Sequence, residues 1–174
     1  MKNKASFVIS FMAFGIVLVL IPLSIDSRIE NPIYALVLRI LLSESIDQIS
    51  VSEAQQLQAP IWLDTRTWPE YEISHIKDAI WVGESLSDKS FLDTIAKTQT
   101  IVVYCSIGYR SENLSYNLTR LGYTKTRNLY GGIFEWVNQK YPVYNQCAIP
   151  TKRIHSYNKF WKLWVSAPTE TVWE

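Results

Sequence analysis

Short apolar runs alternate with helix-like stretches from residue 49 onward, and this alternation constrains the fold more than any other feature. The apolar runs are ISV (49–51), IWLDT (61–65), AIWV (79–82), IVVYC (101–105) and RNLY (127–130). Strands that alternate with helices are typical of βαβ units, whose parallel strands form one sheet covered by helices on both faces. Because the run at 101–104 is uninterrupted, we expect a central strand buried on both sides. The sequence therefore predicts an α/β fold with an open parallel sheet of about five short strands.

The segment after the fourth run has the pattern of a helix. In RSENLSYNLTRLG, Leu114, Leu118 and Leu121 recur at spacings of four and three, which places them on one face. We expect that face to pack on the sheet. Gly122 is suited to end the helix, because glycine adopts the left-handed backbone conformation without strain.

The amino-terminal segment predicts a hydrophobic helix that crosses a membrane ahead of this domain. Ala5–Ile25 contains no charged residue, and its 21 residues would form a helix about 31 Å long, enough for a hydrocarbon layer of about 30 Å. Lys2 and Lys4 favour a cytoplasmic amino terminus, so the domain would lie on the extracytoplasmic side, in the periplasm or outside the cell. The cleavage signal is poor, which favours an uncleaved signal anchor over a signal peptide that would release a soluble periplasmic or secreted form.

These patterns divide the chain into four segments. They are a signal anchor or signal peptide (1–28), a connector with a short helix (29–48), the α/β domain (49–145) and an aromatic and basic carboxyl-terminal extension (146–174). The connector helix is predicted from IYALVLRILLSES (33–45), which suits packing on the domain or lying on a membrane surface. For the extension two interpretations remain open: a membrane-interface or partner-binding segment, or a segment packed over the domain.

Composition argues against several function classes. Seventeen basic and 16 acidic residues give a net charge of +1 without a dense basic stripe, so we expect no nucleic-acid partner. Two cysteines, Cys105 and Cys147, are too few for a disulfide framework. With no CxxC motif and two histidines, the chain is not expected to bind a metal. Thiol chemistry at one cysteine remains open.

Cys105 stands at the carboxyl end of the predicted central strand, where open parallel sheets bind their ligands. The segment 105–111, which we call the cysteine loop, is short, and Gly108 allows it to turn sharply into the next helix. Successive amides of such a loop can form a nest for an anion. The positive end of the helix and the charge of Arg110 act in the same direction, so we expect the loop to favour a thiolate over a thiol.

The length of the cysteine loop distinguishes between two kinds of anion. Four residues separate Cys105 from Arg110, whereas loops of the tyrosine-phosphatase type have five and can encircle a phosphate. A shorter ring suits one additional sulfur atom on the cysteine better than a phosphoryl group. Tyr104 also stands where phosphatases of that type have histidine. The sequence thus favours sulfur chemistry over a cysteine-dependent phosphatase or an arsenate reductase.

Three stretches of the chain follow one another in an order that a known family shares. They are WLDTRTWPEYEISHIKDAIWV (62–82), CSIGYRS (105–111) and LYGGIFEWVNQKYPV (129–143). In these stretches the chain resembles the rhodanese family of single-domain thiosulfate sulfurtransferases, over residues 49–144. Ser74 is a departure, because the family usually has glycine before the position of His75. The resemblance implies the rhodanese-like α/β fold for the domain.

The resemblance also implies a cycle of two sulfur transfers. The thiolate of Cys105 would take the outer sulfur of thiosulfate or a similar small anionic donor, and the resulting persulfide would pass it to cyanide, a thiol or a protein cysteine. Arg110 would bind the donor anion, and the loop amides would stabilise the persulfide. No cofactor and no metal is implied. The residues assigned to substrate binding in this way are Ser106, Ile107, Gly108, Tyr109, Arg110 and Ser111.

Three polar residues upstream are candidates for a supporting role around the site. Asp64 and Arg66 follow the apolar residues IWL (61–63), where an ion pair or a turn cap is favoured over catalysis. His75 is expected to orient a turn by hydrogen bonding. Cys147 lies outside the three matched stretches, and we expect it to be inert or regulatory.

Two functions from different classes fit the whole pattern. The first is a membrane-anchored sulfurtransferase of the rhodanese type that acts through a Cys105 persulfide. The alternative is a non-catalytic module of the same fold that binds a partner. Cys105 and Arg110 argue against the alternative, because a binding module needs neither residue.

Overall fold

A parallel sheet of five strands forms the centre of the computed structural model, which describes residues 26–43, 45–84, 86, 90–166 and 170–173. Its strands are β1 (Gln48–Ile49), β2 (Ile61–Asp64), β3 (Ile80–Trp81), β4 (Ile101–Tyr104) and β5 (Thr126–Leu129). They lie in the order β1-β5-β4-β2-β3, and each neighbouring pair is parallel. Because β4 is central and all four of its residues are buried, the predicted sheet and its central strand are confirmed.

Helices connect the strands and cover the sheet. They are α1 (Pro32–Leu41), α2 (Val51–Ala54), α3 (Trp68–Ile73), α4 (Tyr109–Arg120) and α5 (Gly132–Asn138), with the 3₁₀ helices η1 (Ser90–Thr94) and η2 (Trp161–Trp164). The predicted connector helix corresponds to α1, which begins where the Asn31 side chain accepts hydrogen bonds from two backbone amides. The predicted strand at 49–51 is wrong at its end, because Ser50 and Glu53 form a capping box that starts α2 at Val51.

The side chains of β4 alternate between two separate cores. Val102 and Tyr104 belong to a core that also contains side chains of α1 and α5. Ile101 and Val103 belong to a core that contains side chains of α4. Since successive residues of a strand point to opposite faces, helices cover both faces of the sheet, as the alternating pattern predicted.

The prediction for α4 is correct in part. Leu114 and Leu118 are buried, but Leu121 is 51% exposed, because the helix ends at Arg120 and Leu121 is its C-cap. Gly122 has a φ of +92°, the left-handed conformation expected at the end of this helix.

The predicted membrane-spanning segment, Ala5–Ile25, lies outside the described residues. Among the helices of the described residues, none combines the length and the apolar character that crossing a membrane requires. The signal anchor and the extracytoplasmic location therefore stay predictions.

The carboxyl-terminal extension packs over the domain in the part that the structure describes. Its strands are β7 (Pro150–Thr151), which pairs with β6 (Val143–Tyr144), and β8 (Arg153–His155), which pairs with β9 (Glu170–Val172). Ile154 is fully buried in the core that contains α5. Of the two open interpretations, packing over the domain is the one observed.

Three contacts attach the second half of the extension to the helices of the domain. The side-chain amide of Asn138, at the end of α5, donates to Trp164 O over 2.8 Å and accepts from Ser166 N over 2.8 Å. The Trp164 ring stacks on Tyr34 of α1 with centroids 5.5 Å apart. The segment between these contacts and β8 is thereby brought to the cysteine loop.

Candidate active site

Cys105 is the first residue after β4, at the carboxyl edge of the sheet. Its surface is 1% exposed, and its thiol is not part of a disulfide. The backbone amide of Gly108 donates a hydrogen bond to Sγ over 3.2 Å. Because a thiolate accepts such a bond more strongly than a thiol, the cysteine loop supplies one donor of the predicted kind.

The first carbonyls of the cysteine loop are bound by helix α5. Cys105 O accepts a hydrogen bond from Ile133 N over 3.0 Å, and Ser106 O accepts one from Phe134 N over 3.1 Å. In a planar trans peptide the N–H points away from the C=O, so the amides of Ser106 and Ile107 point away from α5. The amides of Ser106 and Ile107 must point away from α5 in this way if they are to form a nest around Sγ.

Gly132 allows α5 to approach the cysteine loop this closely. Its φ is +57°, and a Cβ there would lie 2.5 Å from Cys105 O and 2.6 Å from Ser106 O. Glycine is therefore required both by the backbone conformation and by space. Gly132, in the matched stretch at 129–143, thus fits closely against the cysteine loop, a contact that the sequence did not reveal.

At the other end of the loop, Gly108 also has a left-handed backbone, with a φ of +103°. Its carbonyl accepts hydrogen bonds from Asn128 Nδ2 and Ser111 Oγ, each over 3.0 Å. The same planar-peptide argument turns the amide of Tyr109 away from these two donors. The turn predicted at Gly108 therefore exists, and Asn128 of β5 stabilises it.

Arg110 forms a two-pronged ion pair with Glu70 of α3. Nη2 lies 2.7 Å from Glu70 Oε1, and Nη1 lies 2.9 Å from Oε2. Ser106 Oγ joins the two groups, because it donates to Glu70 Oε1 and accepts from Arg110 Nη2, each over 2.9 Å. Burial by itself would raise the pKa of Glu70, but the hydrogen bonds and charge of Arg110 outweigh it and lower that pKa to about 2.

A second carboxylate reaches the same guanidinium from the solvent side. Glu84 Oε1 lies 3.0 Å from Arg110 Nη1, and the Glu84 side chain is 58% exposed. Two carboxylates therefore compensate the positive charge that the sequence assigned to donor binding. Arg110 as the residue that binds the donor anion stays a prediction, with less net charge available for it than we expected.

Glu70 is the functional candidate that the sequence reasoning did not single out. It lies three residues after Thr67, and its Oε2 accepts hydrogen bonds from both the amide and the hydroxyl of Thr67. This capping-box spacing is a local signal for the start of a helix. The pairing with Arg110 spans 40 positions, and a local pattern carries no signal for it.

Of the three supporting candidates, Asp64 is the last residue of β2, Arg66 lies in the turn that follows it, and His75 follows α3. Arg66 and Asp64 form an ion pair at 2.6 Å with both side chains fully buried, and Arg66 also donates to Ser74 O. His75 stacks on the Tyr71 ring with centroids 4.0 Å apart, and its Nδ1 lies 3.0 Å from Tyr71 O. These contacts agree with the predicted ion pair and the predicted turn-orienting histidine.

Cys105 borders a pocket of about 270 Å³ that is formed by two parts of the chain. The lining residues are Cys105, Ser106, Ile107, Tyr109 and Arg110 of the cysteine loop, with Tyr157 and Trp161 of the extension. The guanidinium carbon of Arg110 lies 5.3 Å from the centroid of the Tyr157 ring. Sequence reasoning missed Tyr157 and Trp161, because the extension has no motif that relates it to the cysteine.

Cys147 is not part of this lining. It is exposed and free of a disulfide, in a turn where the Asn145 side chain accepts a hydrogen bond from its amide over 3.0 Å. Within the residues that the structure describes, no three His, Cys, Asp or Glu side chains are grouped as metal ligands would be. The arrangement therefore offers one buried sulfur nucleophile at a pocket with aromatic walls.

Comparisons with known proteins agree with this geometry. Residues 49–139, a little over half of the chain, match the family described as the rhodanese-like domain. Thiosulfate sulfurtransferase 18 from Arabidopsis thaliana is 28% identical over 116 residues, which cover 58% of this chain and 85% of that protein. A sulfurtransferase from Allochromatium vinosum is 30% identical over 99 residues, which cover 56% of this chain and 92% of that protein.

A similar fold occurs in solved structures. The crystal structure of a rhodanese-related protein from Thermoplasma volcanium aligns with a TM-score of 0.50 and 26% identity, over 56% of this chain and 96% of that chain. The family match includes the cysteine loop, Glu70 and α5, but it ends before the extension that supplies Tyr157 and Trp161.

Proposed function

We propose that this chain, which belongs to the rhodanese family, is a sulfurtransferase that carries the transferred sulfur as a persulfide on Cys105. The observation that carries this proposal is the hydrogen bond from Gly108 N to Sγ, in a loop whose first carbonyls are bound by α5. Amides held in this way stabilise negative charge on sulfur without rearranging during the reaction. Relatives named as sulfurtransferases support the class of reaction.

In the first half-reaction, the Cys105 thiolate attacks the outer sulfur of a sulfane donor. With thiosulfate, a new sulfur–sulfur bond forms at Sγ, the sulfur–sulfur bond of the donor breaks, and sulfite leaves with the bonding electron pair. No proton moves in this step, so no general base is required. The negative charge of the persulfide lies on its outer sulfur, toward which we expect the amides of Ser106 and Ile107 to point.

In the second half-reaction, an acceptor removes the outer sulfur. Cyanide or a thiolate attacks it, the bond to Sγ breaks, and Cys105 leaves as a thiolate that accepts the hydrogen bond from Gly108 N. The products are thiocyanate with cyanide and a new persulfide with a thiol. The loop therefore stabilises both anionic forms of Cys105.

Arg110 and Glu70 act together in this proposal. The guanidinium borders the pocket and can donate hydrogen bonds to the oxygens of the departing sulfite. Glu70 holds it there with two hydrogen bonds and remains ionised at neutral pH, because its pKa is lowered to about 2. We therefore assign Arg110 to orienting the donor more than to attracting it.

Mass spectrometry of the intact full-length chain, purified in detergent, tests the proposal. After incubation with thiosulfate and removal of the excess, we expect the wild-type mass to rise by one sulfur atom and to return on reduction. Cys105→Ser should show no gain. Cys147→Ser is the matched control, because Cys147 is exposed and outside the pocket, and it should gain the sulfur like the wild type. A gain that persists in Cys105→Ser, or none in the wild type with thiosulfate or polysulfide, would contradict the proposal.

The location of the domain is a separate proposal that rests on the sequence. The uncharged segment Ala5–Ile25 after Lys2 and Lys4 favours a domain outside the cytoplasm. Protease added to intact spheroplasts should then digest the carboxyl-terminal domain. If the domain is digested only after lysis, the orientation is the reverse.

A further inference from the structure

We infer that the carboxyl-terminal extension selects the sulfur compounds that react at Cys105, and that it favours donors with an aromatic or similarly apolar organic group over thiosulfate. This inference rests on the proposed sulfurtransferase function and specifies its substrate class. The residues responsible are Tyr157 and Trp161, which we call the aromatic wall. They lie beyond residues 49–139, where the chain matches its family.

The aromatic wall leaves apolar surface uncovered at the pocket. Tyr157 and Trp161 line the pocket beside Ile107 and Tyr109, and Tyr157 is 54% exposed. An apolar group of a substrate that covers such rings removes both surfaces from water, which is favourable. Thiosulfate has no apolar group, so contact with the aromatic wall contributes no favourable binding free energy.

The aromatic wall is held in a defined position. The amide of Tyr157 donates to His155 Nδ1 over 3.0 Å, and Asn158 Oδ1 accepts a hydrogen bond from Trp161 N over 3.1 Å. His155 belongs to β8, and Asn138 binds Trp164, the last residue of η2, and Ser166 beyond it. Rings that already have a fixed position can discriminate between substrates by shape, because little conformational entropy of these side chains is lost when a substrate binds.

The charges around the pocket are less suited to a dianion. Arg110 is the cationic residue of the lining, and it is paired with Glu70 at 2.7 Å and with Glu84 at 3.0 Å. Thiosulfate carries two negative charges, and removing them from water costs free energy. The guanidinium of Arg110 offsets little of this free energy, because two carboxylates already neutralise its charge. An organic thiosulfonate carries one negative charge next to an organic group, which matches one guanidinium beside aromatic rings.

The reaction with such a donor is balanced without any further reagent. The Cys105 thiolate bonds to the terminal sulfur of R–SO₂–S⁻, the sulfur–sulfur bond of the donor breaks, and the sulfinate R–SO₂⁻ leaves with the electron pair. One negative charge remains on the persulfide and one departs with the sulfinate. Cyanide then removes the outer sulfur as thiocyanate and restores the thiolate.

The test compares three donors on the full-length chain with cyanide as acceptor: thiosulfate, methanethiosulfonate and benzenethiosulfonate. The two thiosulfonates have the same charge and differ in their organic group, so their ratio of kcat/KM reports on the aromatic wall. We expect wild-type kcat/KM to be about 10-fold higher with benzenethiosulfonate than with methanethiosulfonate, from contact with the two rings. Thiosulfate should have the lowest kcat/KM of the three donors.

Tyr157→Gly is the principal variant. Tyr157 has a φ of +64°, which glycine adopts without strain, so this substitution removes the ring with little effect on the fold. It should lower kcat/KM for benzenethiosulfonate by about 5-fold and for methanethiosulfonate by less than about 2-fold. Trp161→Ala should act in the same direction. Leu163→Ala is the matched control, because Leu163 is an exposed residue of η2 outside the pocket lining.

The outcomes separate this inference from the proposed function. If the chain transfers sulfur but treats the two thiosulfonates alike, or if Tyr157→Gly slows both equally, the assignment of selectivity to the aromatic wall is wrong and sulfur transfer stands. If no donor yields thiocyanate or a gain of one sulfur atom on Cys105, the proposed function fails, and this inference fails with it.

Discussion

The cysteine loop and the aromatic wall border the same pocket, but the chain holds them in different ways. The cysteine loop is held by backbone hydrogen bonds from α5 to the carbonyls of Cys105 and Ser106. The aromatic wall is held by side-chain contacts, among them the two hydrogen bonds of Asn138. The loop lies within the segment that matches the rhodanese-like family, and the wall lies outside it. We therefore assign the reaction to the shared part of the chain and the choice of substrate to the part that the family match does not cover.

Gly132→Ala should have the largest effect, and it should act on the cysteine loop. The new Cβ would lie 2.5 Å from Cys105 O, and the φ of +57° is strained for alanine. We expect the free energy of unfolding to fall by about 2–4 kcal/mol. Because displacing a reacting group by about 1 Å can reduce a rate about 100-fold, kcat/KM with thiosulfate should fall by about that factor. Urea unfolding and thiocyanate formation measure the two effects.

Gly122→Ala is the control for this prediction. Gly122 has a φ of +92°, but its Cβ would meet nothing closer than the flexible Lys97 side chain at 3.9 Å. This variant should lose about 1 kcal/mol through backbone strain and keep its activity. Equal losses of activity in both variants would show that α5 does not position the cysteine loop.

Glu70→Gln should have the next largest effect on the free energy of unfolding. It should also make that free energy depend less on pH. The pKa of Glu70 is lowered from 4.5 to about 2, so its ionised form stabilises the folded chain above the unfolded pKa. That contribution, up to about 3 kcal/mol, is complete above about pH 5 and is lost as the pH falls toward 2. The unfolding free energy of the wild type should therefore decrease more steeply than that of Glu70→Gln over this range.

Glu84→Gln is the matched control, because it removes the other carboxylate of the same guanidinium. Glu84 is exposed, so the change should cost less than about 1 kcal/mol. If the two variants lose equal stability at pH 7, the buried pair does not hold Arg110 as described.

Asn138→Ala should have a smaller effect on stability than Gly132→Ala or Glu70→Gln, and its effect on activity should arise at the aromatic wall. It leaves Trp164 O without its hydrogen bond from Asn138, at a cost of about 1–2 kcal/mol. We expect kcat/KM to fall several-fold with benzenethiosulfonate and to stay within about 2-fold with thiosulfate. Gln139→Ala is the neighbouring control, since its side chain binds Arg28 O and Glu135 instead of the extension. A parallel loss with both donors would contradict a separate role for the wall.

Local patterns predicted the sheet and the cysteine loop because each depends on neighbouring residues. The apolar run at 101–104 identified β4, and Gly108 identified the turn after Cys105. The sequence pattern does not show where α4 ends. Leu121 has the spacing of a buried residue, but it follows the last helical turn and is exposed. Periodicity describes a helix while it lasts and does not show where it stops.

Contacts between distant segments cannot be predicted from a single sequence. The pair of Glu70 and Arg110 forms because α3 and α4 both begin at the carboxyl edge of the sheet. Tyr157 reaches the pocket because β8 and Asn138 fix the chain on either side of it. A single sequence contains no periodicity or spacing that relates such positions, so the electrostatics and the walls of the site became visible only in three dimensions.

A crystal structure of the thiosulfate-treated protein would show whether the cysteine loop holds a persulfide on Cys105. We expect a second sulfur atom on Cys105 Sγ, within hydrogen-bonding distance of the amides of Ser106 and Ile107, with α5 still bound to the loop carbonyls. A second sulfur atom on Cys147, or one on Cys105 that points toward the apolar core and away from these amides, would contradict it.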